Sequence, residues 1–419
     1  MRTFVRAVMA LLLAVGSTSI GGTARAEGSR CPVNGVSVPA GGDIQAFLTA
    51  GLPGDAFCLE AGTYLPSDTL RPRSGQAIYG IAGATVIDGR GLVNALFDGC
   101  TLPSVIGSCA QSDPSGVGLF DLTIRRAKVY DVRTGSGWLL DDVTAIDSAQ
   151  YGIVMRGTGT VVQHSVLQNN GKFGITASYT IGGLLQNSVV AFNNSPANSP
   201  GYSGATHFMN SLDLQVLDNQ VHDNYGRGIW FDIDSKGALV QGNTVVGQIN
   251  YPYPNTTYAV GDGIRIEISC NVTVRGNTVT ANQGPQIAID GSDDSLVSGN
   301  TVVAPPGQPG IRVAPQEQRT TQPPSKNCDG TLRTATRNTV VSNVITQQGN
   351  LPASDYSGIL QKGTTGSTTG STFDGDTYYV KSCSTHLWRW WTGSSAVKVG
   401  FTTLQSAYGQ ELNGRCLIL

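Results

Sequence analysis

Three carboxylates recur at one position of a repeated motif and are the first candidates for chemistry. Asp232, Glu267 and Asp290 each end a five-residue pattern whose second residue is Ile and whose fourth is apolar. Because strand side chains alternate between two faces, the apolar residues point to a core and the carboxylates point outward. Neighbouring strands lie about 4.7 to 4.9 Å apart. Acidic groups stacked at that spacing need a cation, a basic neighbour or an altered pKa.

Two kinds of chemistry would use such a column. Elimination or epimerisation of a uronate needs a positive charge on the substrate carboxylate and a base that removes the C5 proton. Glycoside hydrolysis needs an acid and a second carboxylate, about 5 to 5.5 Å apart for retention of configuration or about 6.5 to 9.5 Å apart for inversion. Lyase or epimerase chemistry is preferred because Arg and His accompany the carboxylates. The predicted catalytic residues are Asp232, Glu267, Asp290, His222, His207 and Arg265.

Basic residues accompany the column. Arg265 and Arg312 stand two positions before the end of their copies of the motif, and Arg156 ends an earlier copy. His207 and His222 are two of only four histidines and precede the Trp230–Asp232 strand, His222 in the turn leading into it. The structural alternative is an exposed carboxylate ladder that arginines neutralise, with the histidines in turns or on the surface.

The column is also a candidate metal site. Stacked carboxylates suit the flexible oxygen shell of calcium, so Asp232, Glu267 and Asp290 are its predicted ligands. No organic cofactor is expected.

Two insertions fall between copies of the repeat, at residues 193–203 and 248–260. They carry tyrosines, which together with a tryptophan could wall a groove and stack on sugar rings. The alternative is that these loops pack on the body of the protein. The predicted substrate-binding residues are Trp230, Tyr202, Tyr251, Tyr253, Tyr258, Arg312 and Arg156.

A six-residue repeat must position these groups. Its clearest copies are residues 240–245, 274–279 and 297–302, which read VQGNTV, VRGNTV and VSGNTV. The shortest intervals between copies are about 23 residues, which fits one coil of a parallel β-solenoid and not a propeller blade. The fourth position holds Asn in several copies, where turn formation or side-chain stacking explains it. These asparagines are Asn219, Asn243, Asn277, Asn300 and Asn343.

Composition agrees with an all-β chain rich in turns. Gly accounts for 54 of 419 residues and charged residues for 13%. Because Gly costs about 1 kcal/mol in a helix interior, this composition disfavours a mainly helical fold. The net charge of −2 gives no sign of nucleic-acid binding. After residue 26, no run of apolar residues is long enough to span a membrane.

The chain resembles secreted bacterial right-handed parallel β-helix proteins of the pectate-lyase-like superfamily. The resemblance is carried by GDIQAFLTAGLPGDAFCLEAGTY and ATVIDGRG near the start and by the long run from GATHFMNS to GIRIEIS. FDGDTYYV, WRWW and AYGQELNG resemble the C-terminal unit of such proteins. The resemblance implies a right-handed parallel β-helix and specifies the activity poorly. The stacked charges and the tyrosine-bearing loops lead us to expect a secreted carbohydrate-active enzyme that acts on an extended, acidic polysaccharide. Non-catalytic envelope or surface scaffolds share the fold, so that function stays open.

The remaining features divide the chain. Residues 1–26 resemble a secretory signal peptide, residues 27–361 form the predicted β-helix, 362–372 a linker and 373–419 an aromatic-rich cap unit. We therefore expect a bacterial, extracytoplasmic monomer without a membrane span. Sequence proximity favours the disulfides Cys31–Cys58, Cys100–Cys109 and Cys383–Cys416, which leaves Cys270 with Cys328.

Overall fold

A computed structural model describes the chain in three long parallel sheets, which we call A, B and C. The described residues are 30–100, 109–110, 112–195, 203–250, 260–315, 328, 335–348, 359–361, 370–384, 388–391 and 395–419. Within them, each coil of the solenoid contributes one short strand to each sheet in turn. Two short helices complete the fold, α1 (Ile44–Ala50) and α2 (Phe401–Tyr408).

The strands are given sheet by sheet, numbered in chain order. Sheet A contains β1 (Val36–Val38), β2 (Ala56–Leu59), β4 (Ala77–Tyr79), β7 (Gly118–Phe120), β10 (Leu139–Asp141), β13 (Val161–Gln163), β16 (Leu184–Gln186), β19 (Gln215–Leu217), β22 (Leu239–Gln241), β25 (Thr273–Arg275), β28 (Leu296–Ser298), β31 (Thr339–Val341) and β34 (Thr372–Asp374). Sheet B contains β3 (Gly62–Tyr64), β5 (Thr85–Asp88), β8 (Thr123–Arg125), β11 (Thr144–Ile146), β14 (Val166–Gln168), β17 (Val189–Ala191), β20 (Gln220–His222), β23 (Thr244–Val246), β26 (Thr278–Thr280), β29 (Thr301–Ala304), β32 (Val344–Gln347), β35 (Thr377–Val380) and β38 (Arg415–Ile418). Sheet C contains β6 (Ala95–Asp98), β9 (Tyr130–Arg133), β12 (Tyr151–Met155), β15 (Phe173–Ser178), β18 (Gly204–Met209), β21 (Ile229–Asp232), β24 (Ile264–Glu267), β27 (Ile287–Asp290), β30 (Ile311–Ala314), β33 (Ile359–Gln361), β36 (Trp388–Trp391) and β37 (Ala396–Val399).

The six-residue repeat is the corner between sheets A and B. In the copy at 240–245, Val240 is the buried centre of β22 and Val245 is the buried centre of β23. Gly242, with a φ of 69°, makes the turn between them. The five-residue motif forms the strands of sheet C, so the sequence repeats map onto all three sheets.

The asparagines of the repeat form a buried ladder along the A–B corner. Each amide group donates to the next side-chain oxygen along the axis, at 2.9 to 3.0 Å. Each also donates to a backbone carbonyl of the preceding coil. The structural interpretation of Asn219, Asn243, Asn277, Asn300 and Asn343 is confirmed, because every buried amide has its partners.

The two ends of the solenoid are closed differently. At the N-terminal end α1 is capped by Asp43, whose side chain accepts from the Ala46 backbone N–H at 3.1 Å. At the C-terminal end β34 and β35 add a further coil, and the antiparallel pair β36–β37 and helix α2 follow. Trp388 and Trp390 are buried in the core of this end, so they act as a cap.

All four predicted disulfides are present: Cys31–Cys58, Cys100–Cys109, Cys270–Cys328 and Cys383–Cys416. Among the described residues, neither helix has the length and apolar character that crossing a membrane requires. The expected signal peptide and most of the expected linker lie outside the described residues.

Candidate active site on sheet C

The outer face of sheet C carries the predicted carboxylate column. Ile264 and Ile266 of β24 point into the core, so Arg265 and Glu267 between and after them face outward. The strand register pairs Glu267 with Asp290 of β27. Phe231 of β21 pairs with Ile266, which places Asp232 beside Glu267. The three carboxylates therefore occupy one position on successive coils, as the motif predicted.

The carboxylates are nevertheless buried, with exposed fractions of 1% to 3%. This corrects the expectation that an outward position means an exposed one. A buried charge without a partner is costly, so each group must be paired or hydrogen-bonded.

Arg265 supplies much of that pairing. Its guanidinium contacts Glu267 Oε2 at 3.0 Å, Asp290 Oδ2 at 2.9 Å and Asp262 Oδ2 at 2.9 Å. Arg312 binds Asp290 from the next coil with two N–H groups. Two of the three column carboxylates are thus sealed by arginine, which is the geometry expected of the structural alternative.

Asp232 has a different partner. Its Oδ2 lies 3.3 Å from Nε2 of His207, which is also buried. His207 stacks between two rings, with its centroid 3.9 Å from Trp230 and 5.2 Å from Phe173. The rings fix the imidazole, and the carboxylate binds one of its nitrogens. A positioned histidine with a carboxylate partner is the arrangement used for proton transfer.

Trp230 links this pair to the arginine network. Its indole N–H donates to Glu267 Oε2 at 3.0 Å, and the guanidinium of Arg227 lies 4.0 Å from its ring centroid. Because Trp230 is fully buried between Arg227 and His207, it offers no free ring face to a sugar. The prediction that Trp230 lines a substrate groove is therefore wrong, because its ring lies inside the stack.

Arg227 and Asp262 belong to the network and were missed by the sequence analysis. They lie 3.4 Å apart, both buried. Burial and the nearby charge of Arg265 lower the pKa of the Arg227 guanidinium. Each residue directly precedes the Gly that opens a copy of the motif, and that shared position was the available signal.

Other predicted residues are not brought to this cluster. His222 ends β20 in sheet B, where it is half-buried and bonds Asp223 at 2.8 Å. This corrects its expected place in a turn beside the column. Asn224, two residues later, joins a second amide ladder, accepting from Asn193 and donating to Gln248.

Arg156 keeps the column position but lies three coils below Asp232, so it does not touch the carboxylates. It donates to the Ser178 carbonyl at 2.8 Å, and burial lowers its pKa to about 10. Tyr202, Tyr251, Tyr253 and Tyr258 lie outside the described residues.

The column does not fit calcium. Glu267 Oε2 and both oxygens of Asp290 already accept from arginine N–H groups. A guanidinium among the carboxylates occupies the space and supplies the charge that a divalent ion would. The geometry therefore gives no support to the expectation of calcium at this position.

Comparison with known proteins identifies the architecture. Residues 131–302 match the family described as the right handed beta helix region. The chain is a right-handed parallel β-helix. The fold implied by the sequence resemblance is thereby confirmed.

Several solved structures share this fold at low identity. The A-module of the mannuronan C-5 epimerase AlgE6 from Azotobacter vinelandii is 19% identical, with a TM-score of 0.54 over 80% of this chain and 88% of its own. The AlgE4 A-module from the same organism is 16% identical, with a TM-score of 0.51 over 83% and 92%. The Dettilon tailspike protein is 15% identical, with a TM-score of 0.50 over 87% and 62%. No protein of curated function matches the sequence significantly. At these identities the β-helix likeness establishes the fold alone.

Proposed function

We infer that the protein modifies an acidic polysaccharide at the outer face of sheet C by proton transfer at C5 of a uronate. The observation that carries this proposal is the His207–Asp232 pair, Nε2 to Oδ2 at 3.3 Å, held in a ring stack whose Trp230 also contacts the guanidinium of Arg227. Two of the structural neighbours are mannuronan C-5 epimerases, which is consistent with this chemistry.

Each group has a role that follows from its contacts. His207 is the candidate acid or base, and Asp232 orients its ring and stabilises the imidazolium that forms on protonation. Arg227 is the candidate to bind the substrate carboxylate, because its guanidinium lies 4.0 Å from the centroid of the Trp230 ring that stacks on His207. A guanidinium there would make the C5 proton more acidic by neutralising the adjacent carboxylate.

Glycoside hydrolysis suits this arrangement less well. A hydrolase needs one carboxyl group that can give a proton to the leaving oxygen. Glu267 and Asp290 accept from guanidinium N–H groups at about the positions where that proton would have to be held. β-Elimination can use one acid–base group, which takes the C5 proton and returns it to the leaving oxygen at C4 while a cation neutralises the carboxylate. Epimerisation needs, in addition, a proton delivered to the opposite face of C5 by water or by a second side chain.

The test is incubation with alginate, pectate and glycosaminoglycans in D₂O. Deuterium at C5 seen by NMR would report proton transfer, and ultraviolet absorbance of an unsaturated uronate would report elimination. His207→Gln should lower either signal by at least about 100-fold, the usual contribution of a general acid or base.

A matched control is His164→Gln, which removes another histidine paired with an aspartate. His164 Nδ1 lies 2.7 Å from Asp141 Oδ1 at the end of a sheet A strand. That variant should keep full activity. Turnover of uronates that survives His207→Gln, or new reducing ends without exchange or elimination, would overturn the proposal.

A non-catalytic glycan-binding scaffold is the second candidate. It is favoured by burial: Trp230, Asp232 and Arg265 are each at most 1% exposed, as in a structural ion network. In that case the protein binds glycan, but no substrate incorporates deuterium at C5. The Asp232→Asn variant should then bind glycan as the wild-type protein does.

A further inference from the structure

Three cations lie over aromatic rings on the outer face of sheet C. The guanidinium of Arg133 lies 5.1 Å from the Tyr130 centroid, and that of Arg227 lies 4.0 Å from Trp230. Lys172 Nζ lies 5.8 Å from the Tyr151 centroid. Each pair gains from the attraction between a cation and a ring face.

Lys172 differs from the two arginines in its counter-charge. Arg133 binds Asp98 with two bonds of 2.7 Å, and Arg227 lies beside Asp262. Among the described residues, no carboxylate pairs with Lys172, whose side chain is half-buried. A partly desolvated ammonium without a counter-ion attracts an anion more strongly than a fully solvated one.

A continuous row of rings joins Lys172 to the candidate acid–base group. Tyr151 stacks on Phe173 at 6.2 Å, and Phe173 stacks on His207 at 5.2 Å. Tyr151 and Phe173 are register partners on neighbouring strands. Lys172 and Tyr151 therefore stand beside His207 on its N-terminal side.

On the C-terminal side of His207, the positive charges are already paired with carboxylates and attract an anion less. There Arg265 is buried and bonds three carboxylates, and Arg312 is committed to Asp290 with two N–H groups. An anionic chain that extends in this direction meets paired charges. In the other direction it meets an ammonium and a half-exposed tyrosine ring.

We propose that Lys172 and Tyr151 form a binding subsite for the uronate next to the reacting one, so that the substrate runs from His207 toward the N-terminal end of the solenoid. Lys172 binds the carboxylate of that sugar and the exposed part of Tyr151 contacts its ring. This inference rests on the proposed function because it takes His207 as the reacting centre.

The experiment measures binding in the His207→Gln background, where turnover does not interfere. Titration calorimetry uses oligogalacturonate and oligomannuronate of defined length, with methyl-esterified oligogalacturonate as the uncharged probe. Adding Lys172→Met should weaken binding of one of the charged oligomers about tenfold and leave the ester unaffected, since one charge-assisted contact is lost. Lys172→Arg should restore most of the affinity.

Lys236→Met is the matched control. Lys236 is also half-buried, but it lies at the corner between sheets C and A, where its backbone forms a parallel β-bridge with Cys270. Loss of its ammonium group should leave binding unchanged. Circular dichroism of each variant confirms that the fold is kept.

The two ideas fail in different ways. If wild-type protein exchanges C5 protons but Lys172→Met binds every oligomer as its parent does, the subsite is wrong and the proposed function stands. An equal loss for the charged oligomers and the ester also overturns the subsite. If wild-type protein neither exchanges protons nor binds a charged oligomer, both are wrong.

Discussion

Sheets A and B differ from sheet C in what happens on the outer face. In β22 of sheet A the residues are half-buried, buried and half-buried in turn, and β23 of sheet B repeats that pattern. In β24 of sheet C all four residues are buried. Sheets A and B therefore have one solvated face, whereas β21, β24 and β27 of sheet C are buried on both faces.

This difference explains where the charged groups need partners. An outward side chain of sheet A or B is solvated and can be almost any polar residue. An outward charge on sheet C loses water and must find an ion pair or hydrogen bond. The Arg265 network and the His207–Asp232 pair are the result, and they make this face the place for chemistry.

The sharpest way to break the comparison is to remove one arginine from each kind of sheet. Arg265→Met leaves Glu267 and Asp290 buried with a lost partner, so we expect the free energy of unfolding to fall by about 3 to 5 kcal/mol. Arg275→Met removes an exposed arginine of sheet A that donates to Gln241. This substitution should change the free energy of unfolding by less than about 0.5 kcal/mol. Denaturant unfolding of both variants measures the difference.

Equal effects of the two substitutions would show that the sheet C network is solvated after all. A small effect of Arg265→Met together with a fully retained fold would mean that the carboxylates find other partners when Arg265 is gone. Either outcome removes the distinction between the sheets.

The sequence predicted the fold because its signals are local and repeated. The copies of VxGNTV place two buried valines and one amide at fixed spacing, which is sufficient for the A–B corner and its ladder. The disulfides followed from proximity along the chain. Each of these features depends on residues that are close in sequence or that recur once per coil.

The site was predicted only in part because burial depends on groups far apart in sequence. The motif placed Asp232 and Glu267 on one column, but period-two alternation says which face a side chain takes and not whether that face is covered. Arg227 and Asp262 each lie two residues before a strand of sheet C, 35 residues apart in the sequence, and meet only because successive coils stack. His222 was misplaced because β20 extends one residue beyond the copy of the six-residue repeat at 216–221, and the sequence pattern does not show where the strand ends and the turn begins.

The C-terminal end of the amide ladder tests how the A–B corner tolerates charge. The ladder of neutral amides ends at Asn343, which donates to Asp376 Oδ1 at 2.9 Å. Glu411 accepts from the Asp376 backbone N–H and, at 2.8 Å, from the Tyr378 hydroxyl. Burial, followed by the charge of Asp376, raises the pKa of Glu411 to about 9, and burial raises that of Asp376 to about 6.

These shifts predict that the cap weakens at alkaline pH. Because the folded-state pKa values lie above the ordinary values of 3.8 and 4.5, the stabilisation is complete below those values and is lost as pH rises through about 6 and then about 9. We expect the protection factors of amides in α2 and β38, which are exchange rates corrected for the intrinsic rate at each pH, to fall over this range by an amount that corresponds to a few kcal/mol. Glu411→Gln should flatten the profile, and Glu60→Gln, at an exposed position, should not. A cap that is most stable at pH 9 would contradict the assignment.

The smallest expected effect lies within the neutral part of the same corner. Asn277 donates to Asn300, to the Val240 carbonyl and to the Arg275 carbonyl, and it accepts from Asn243. Asn277→Ala leaves those buried groups without a partner, which should cost about 1 to 3 kcal/mol. Thr278→Ala, at the exposed next position, is the control and should cost less than about 0.5 kcal/mol. Because the amides are uncharged, the loss should be independent of pH and salt, unlike the loss expected for Arg265→Met. A pH-dependent effect of Asn277→Ala would mean that the corner transmits the charge of Asp376 along the ladder, and the contrast between a neutral corner and a charged sheet C would then have to be redrawn.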